Sequence, residues 1–282
     1  MKFKLALPVF LFLILFAPHG FSETAQIQPP SVSAEEILHK IETRRGTWTD
    51  LKAAVSMEFI TPQKKTAACR ADLAYARLEE KILLKGFNAQ NKLLFVFKTS
   101  DRNFELYLPS SKTLYRGSIF DLEDSPEIHS HLKALDLYRA LKPLAVSAGK
   151  AAVTKNPGDT AGGELLKVES SRKGKIFLAR ELTVTKDGEV SKEAYYTPEG
   201  KPGTLIERSD FKTIGDSQKD PAFFPSKITL ASPSQASGGD LNQTTLVFDK
   251  ISFNASLSDA DFDFSLPQDT RIVELEENQT EF

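Results

Sequence analysis

From Leu51 onward the apolar residues change their spacing from 3.6 to 2, and they keep the new period in short runs as far as Phe253. Val55, Met57 and Phe59 alternate with Ser56 and Glu58, and Cys69, Ala71, Leu73 and Tyr75 alternate with Arg70 and Asp72. Lys81–Lys85, Leu93–Phe97, Phe104–Leu108 and Thr113–Arg116 follow, separated by short polar turns. Leu94 and Val96 break the alternation of their run, so both faces of that strand are expected to be covered. After an Asn156–Gly163 loop come Leu165–Ser170, Ile176–Thr185, Glu189–Tyr196, Thr204–Phe211, Pro225–Leu230 and Thr244–Phe253. Two hairpin turns, around Gly174 and Gly188, join strands in this half. Such a series excludes a parallel α/β fold and predicts an antiparallel meander of about eleven strands.

Two helical stretches interrupt it. Ser33 and Glu36 have the spacing of a capping box ahead of Ile37, Leu38 and Ile41, which predicts a helix from Ala34 to Arg44 ended by Gly46. A second stretch from about Glu127 to Leu144 carries Leu132, Leu135, Leu137, Leu141 and Leu144, with Pro143 ending its regular part. The expected fold class is α+β: one curved antiparallel sheet, a half-open β-barrel, with the helices covering its concave face. A separate sheet beginning at Leu165 is the alternative.

Ahead of the first helix the chain reads as an export signal. Lys2 and Lys4 precede a 12-residue apolar run, Leu5–Phe16, too short for the ~20 residues of a spanning helix. Gly20 and Ser22 supply small residues for cleavage after Ser22. The predicted organisation is a signal peptide over 1–22, a disordered leader over 23–33, one domain over 34–273 and an acidic tail over 274–282. Cleavage removes two lysines and takes the formal charge from −2 to −4. A near-neutral chain with a pI of about 6.2 has no general footprint for nucleic acid. One cysteine excludes an intramolecular disulfide and a Cys-rich zinc module. Cys69 therefore reads as a small buried hydrophobe, and the domain must be held by its core.

Candidate chemistry is sparse. Asp121, Glu123, Asp124, Glu127, His129 and His131 form the densest acidic and histidine cluster, but acidic residues also suit a helix N-terminus there. Asp259, Asp261 and Asp263 imitate the start of a calcium loop, yet Phe264 stands where glycine is needed and Thr270 where the bidentate glutamate belongs. Asn242, Asn254 and Asn278 open glycosylation sequons, meaningful only in a eukaryotic secretory pathway. There is no G-x-S-x-G, phosphate loop or dinucleotide fingerprint. The sequence thus predicts no catalytic residue, no metal and no cofactor.

The run Phe104-Glu105-Leu106-Tyr107-Leu108-Pro109, the segment Lys112–Gly117 and the closing Asp261–Pro267 resemble the LolA/LolB-like superfamily of periplasmic lipoprotein-localisation proteins. The chain looks closest to LolB-like relatives whose roles are largely uncharacterised. The resemblance implies a half-open barrel closed by helices around an apolar cavity for acyl chains. It lacks the N-terminal anchoring cysteine of LolB, which implies an unanchored periplasmic carrier or chaperone for lipid or lipoprotein. Burial of acyl chains in such a cavity gains ~0.8 kcal/mol per methylene. The expected cavity wall is Val55, Met57, Phe59, Leu93, Phe95, Phe97, Phe104, Leu106 and Leu108, with Leu135 and Leu141 from the helical lid. The alternative is a non-enzymatic envelope interaction or stress-sensing module that binds a protein with the same fold. A hydrolase acting on envelope material is a third reading, for which no nucleophile–base pair is visible.

Overall fold

A computed structural model describes residues 32–46, 48–61, 63–119, 134–141, 151–155, 163–172, 174–214, 222–233 and 241–275. The predicted signal peptide, most of the leader, the 121–131 acidic and histidine cluster and most of the acidic tail lie outside them.

Helix α1 (Ala34–Arg45) begins as its sequence dictates. The Ser33 hydroxyl accepts from the Glu36 N–H at 3.2 Å, and the Glu36 carboxylate accepts from the Ser33 N–H at 3.2 Å. Glu35 and Glu36 sit in its first turn and Arg44 and Arg45 in its last, each sign favourable for the helix dipole. Gly46 closes it with a φ of 69°.

The strands are β1 (Asp50–Ile60), β2 (Thr66–Ala76), β3 (Lys81–Phe87), β4 (Leu93–Ser100), β5 (Asn103–Leu108) and β6 (Thr113–Ser118). Helix α2 (Ala134–Leu141) follows, the described part of the predicted leucine-rich stretch. Then come β7 (Ala151–Lys155), β8 (Glu164–Arg172), β9 (Lys175–Val184), β10 (Val190–Tyr196), β11 (Pro202–Ile214), β12 (Ala222–Pro233), β13 (Leu241–Phe253) and β14 (Arg271–Glu274). All fourteen belong to one open sheet, ordered β14-β6-β5-β4-β3-β2-β1-β13-β12-β11-β10-β9-β8-β7. The count exceeds the expected eleven: twelve of the strands coincide with the alternating runs of the sequence, and β7 and β14, of five and four residues, are too short to announce themselves by alternation. The sheet is also not wholly antiparallel: β14 runs parallel to β6, Arg271–Glu274 against Thr113–Arg116.

The long-range pair β1–β13 decides the architecture. It joins Leu51 to Phe253 and Ile60 to Gln243, so the two halves of the chain share a single sheet rather than forming two. Leu51, Ala53, Val55 and Met57 are buried on one side of β1, while Lys52, Ser56 and Glu58 are exposed on the other. The buried phase continues through Leu73 and Tyr75, Ile82 and Leu84, Phe95 and Phe97, Phe104 and Leu106, and across to Leu246, Phe248, Ile228 and Ile206. Leu137, Tyr138, Ala140 and Leu141 of α2 belong to this same cluster. Ile37 and Ile41 of α1 join a second one with Leu166, Val168, Leu182, Val184 and Val190.

The opposite face of β2–β6 is covered too, as Val96 foretold for β4, although Leu94 itself is 39% exposed. Ala74, Leu83, Val96, Tyr107 and Leu114 pack beneath Phe262, with Leu257 and Phe264 beside it. This C-terminal segment contains a 3₁₀ turn at Asp259–Phe262 and is pinned by ion pairs: Lys52–Asp261 at 2.8 Å, Lys81–Asp259 at 2.7 Å and Lys98–Asp263 at 3.5 Å. The aspartates that imitate a calcium loop are thus each held by a lysine. Lys52 and the Ser258 N–H and hydroxyl hold the Asp261 carboxyl down at about 2.

Candidate functional site

Where both helices approach β11 and β12, the structure leaves a pocket of about 100 Å³. The last turn of α1 contributes Ile41, Arg44 and Arg45, one helical turn beyond the buried Ile37–Ile41 stripe. Gly46 turns the chain so that Trp48 lies alongside, edge-on to Tyr75 of β2 at 5.6 Å and to Phe224 of β12 at 6.1 Å. Ala140 and Leu141 enter from the end of α2, and Phe211, Phe223 and Ile228 from β11 and β12. The β9–β10 turn supplies Glu189 beside Gly188, whose φ is 87° and where a Cβ would lie 3.0 Å from the Lys40 carbonyl oxygen. Only glycine permits so close an approach of this turn to α1.

Four arginines, Arg44, Arg45, Arg77 and Arg208, line this largely aromatic pocket. Arg44 lies over the Phe223 ring, 3.2 Å from its centroid, and pairs with Glu189 at 3.1 Å. Arg77 donates to the Gly46 carbonyl at 2.8 Å and sits 5.3 Å from the Trp48 ring centroid. Arg45 pairs with Glu42 at 3.3 Å. Burial lowers its pKa; Glu42 opposes that shift, and the nearby Arg208 and Arg77 add to it. Burial also raises the Tyr75 phenol, the effect being partly offset by Arg45 and Arg77.

Behind the pocket, Glu193 is 1% exposed and accepts from Arg180 at 3.2 Å and from Arg208 at 3.0 Å. Arg208 also donates to the Ala140 carbonyl at 3.5 Å, placing a cation at the C-terminal end of α2. Asp136 of α2 accepts from the Thr204 hydroxyl, and Arg139 lies over the Tyr195 ring at 4.4 Å. Buried polar contacts therefore hold α2 against β10 and β11 in addition to its leucines.

Among the sequence-predicted wall residues, Val55, Met57, Phe95, Phe97, Phe104, Leu106 and Leu141 are buried in the main cluster. Phe59, Leu108 and Leu135 are half-buried against it. Leu93 is the exception and packs with the cluster on the opposite face. The cause is a register break between β3 and β4: Gly86 pairs with Phe95 but Phe87 pairs with Leu93, so Leu94 is an extra residue. One inserted residue reverses the phase of everything before it. Of the eleven, only Leu141 lines the pocket. Sequence reasoning missed its arginines. The available signal was Arg208, which shares the inward phase of Thr204 and Ile206 where an apolar residue is expected.

Cys69 lies buried on β2, and burial pushes its thiol up to about 11. Among the described residues, no group of three or more His, Cys, Asp or Glu side chains is placed to hold a metal ion. Nor, among them, is any helix long and apolar enough to cross a membrane.

Among the described residues the architecture is one open, largely antiparallel sheet with α1 and α2 packed on it. No family model matches the sequence, and no curated protein matches it. Solved structures do. One is assigned as an outer membrane lipoprotein-sorting protein domain from Vibrio parahaemolyticus (TM-score 0.60, 16% identity, 82% of this chain and 97% of that one). Another is a LolA superfamily protein from Nitrosomonas europaea (0.55, 14%, 83% and 99%). A third is a DUF1329 family protein from Desulfovibrio piger (0.57, 13%, 82% and 95%). At these identities the likeness is one of fold, and it agrees with the resemblance carried by Phe104–Pro109 and Lys112–Gly117.

Proposed function

We propose that this protein is a non-enzymatic carrier or chaperone for lipid or lipoprotein in the bacterial periplasm, taking an acyl chain between the sheet and α2. The observation that carries the reading is the aromatic pocket between both helices and β11–β12, in a fold shared with a lipoprotein-sorting domain. At about 100 Å³ the pocket is smaller than the ~150 Å³ cavity that admits a benzene ring. An acyl chain therefore enters by displacing α2, a movable cover. The chain then lies along the apolar cluster that α2 shares, beside Val55, Met57, Phe59, Phe95, Phe97, Phe104, Leu106 and Leu108, with Leu135 and Leu141 closing over it.

The signal-like N-terminus and the fold's association with outer-membrane lipoprotein sorting support the periplasmic placement. The test is binding of a fluorescent fatty-acyl probe by the wild-type protein and by Leu135→Ser and Leu141→Ser, each first shown to be folded by thermal melt. The wild type binds the probe and a folded Leu141→Ser variant binds it at least about tenfold more weakly, a loss of about 1.4 kcal/mol. An unaltered affinity in the folded variants removes α2 from the mechanism. If the wild type binds no probe, the carrier reading fails, and a protein partner captured by the same fold takes its place.

A further inference from the structure

We infer that the pocket selects amphiphiles with an anionic head group, a carboxylate or a phosphate, and holds that group among its arginines. This rests on the acyl-binding reading and adds the polar half of the ligand. Among the described residues, four buried side-chain polar atoms have no hydrogen-bond partner within the protein. Three of them, Arg44 Nε, the Tyr75 hydroxyl and Arg208 Nη1, are donors, and all three belong to residues that line this pocket. Tyr75 is 2% exposed, so its hydroxyl is not satisfied by bulk solvent.

Buried donors left unpaired are costly, and folded proteins keep few of them without a reason. Three around one small pocket describe a site for an acceptor. The charge balance gives that acceptor its sign. The pocket lining itself carries four arginines, Arg44, Arg45, Arg77 and Arg208, and one carboxylate, Glu189, which favours an anion there. A carboxylate or phosphate accepts several charge-assisted hydrogen bonds at once, which a neutral hydroxyl cannot do. Trp48, Phe223 and Phe224 beside these donors present an apolar surface to the start of the attached chain.

Trp48 is the single tryptophan and stands in the pocket wall, so its emission reports occupancy directly. The full chain is titrated with dodecanoate, dodecyl phosphate, dodecanol and inorganic phosphate, all below micelle formation. Both anionic amphiphiles are expected to bind at least about tenfold more tightly than dodecanol, and added salt to weaken only the anions. Tyr75→Phe and Arg45→Gln should shrink this preference severalfold. Tyr75→Phe removes only an unpaired hydroxyl, so it decides the question should Arg45→Gln fail to fold. Equal affinity for dodecanoate, dodecyl phosphate and dodecanol overturns the head-group proposal and leaves the acyl-carrier reading standing. Inorganic phosphate binding as tightly as dodecyl phosphate overturns it in favour of a free-phosphate site. No binding of any amphiphile overturns both.

Discussion

Replacing Glu193 with alanine tests the buried charge cluster behind the pocket. The carboxylate is 1% exposed and accepts from two guanidiniums, Arg180 at 3.2 Å and Arg208 at 3.0 Å, whose side chains are 16% and 11% exposed. Its removal takes away the carboxylate shared by two cations that lie largely out of water. Breaking a buried pair by deleting one partner costs ~3–5 kcal/mol. Arg208 keeps the Ala140 carbonyl and Arg180 keeps the face of Tyr195 at 5.7 Å, which places the expected loss near the lower figure. At about 2–4 °C per kcal/mol for a domain of this size, Glu193→Ala should melt roughly 6–12 °C below the wild type by circular dichroism. Glu193→Gln keeps one acceptor oxygen and should lose less. The control is Glu207→Ala, which removes an exposed pair with Lys192 at 3.8 Å and should cost under about 1 kcal/mol. A Glu193→Ala protein that melts with the control refutes the view that this cluster is a structural anchor for α2.

A Cβ at position 86 would lie 2.1 Å from Phe95 Cε1, so Gly86→Ala must drive the buried ring from its seat. The expected cost is about 1–3 kcal/mol by chemical denaturation, with recovery in the Gly86→Ala, Phe95→Leu double variant. The C-terminal segment should loosen in acid. Asp259, Asp261, Asp269 and Glu274 all have carboxyl pKa values lowered by a lysine or arginine partner, Asp261 to about 2. A depressed native pKa adds stability above the unfolded value of about 3.9, and that stability is lost as the pH falls toward 2. Hydrogen-exchange protection at residues 257–274, referred to the intrinsic amide rate at each pH, should therefore fall between about pH 4 and pH 2, before the β1–β13 ladder opens. Unchanged protection across that window would show that Phe262 and Phe264 hold the segment without the ion pairs.

Local features were legible where one short-range rule governs them. The Ser33–Glu36 capping box, the alternation in β1 and β2 and the two-sided burial of β4 all follow from a few neighbouring residues. The sheet order was not legible, because β1–β13 pairs residues about 200 positions apart and either strand alone would fit a sheet edge. Leu93 was misplaced because a bulge at Leu94 leaves the composition of the strand unchanged and reverses only its phase. Strand β14 pairs with β6 through backbone hydrogen bonds and side-chain ion pairs such as Arg116–Glu274 at 2.5 Å, so hydrophobic period does not mark it. The pocket was invisible for a related reason. Arginines read as solvated by default, and only the contacts of Arg44, Arg77 and Arg208 with aromatic rings, carbonyls and Glu193 show them turned inward.

The distribution of these interactions determines which part of the molecule can yield to a ligand. The sheet halves are welded at their centre by β1–β13 and β1–β2, ladders that engage ten and eleven residues of β1. Moving any inner strand breaks main-chain hydrogen bonds in two ladders at once. The helices are under no such constraint. α1 precedes β1, and α2 lies in the β6–β7 connection, where consecutive strands are not neighbours in the sheet. Displacing α2 breaks the Asp136–Thr204 bond, the Arg208–Ala140 contact and the seats of Leu137 and Leu141, but no strand pairing. The opposite face has no comparable freedom, because its cover is pinned by lysine–aspartate pairs and continues into β14, which is itself laddered to β6. The proposed ligand would therefore enter on the helical side, where it would first meet the arginines that fasten both helices to the sheet. A head group that competes for Arg44 and Arg208 loosens those fastenings while the acyl chain offers Leu137 and Leu141 an apolar replacement for the wall they leave.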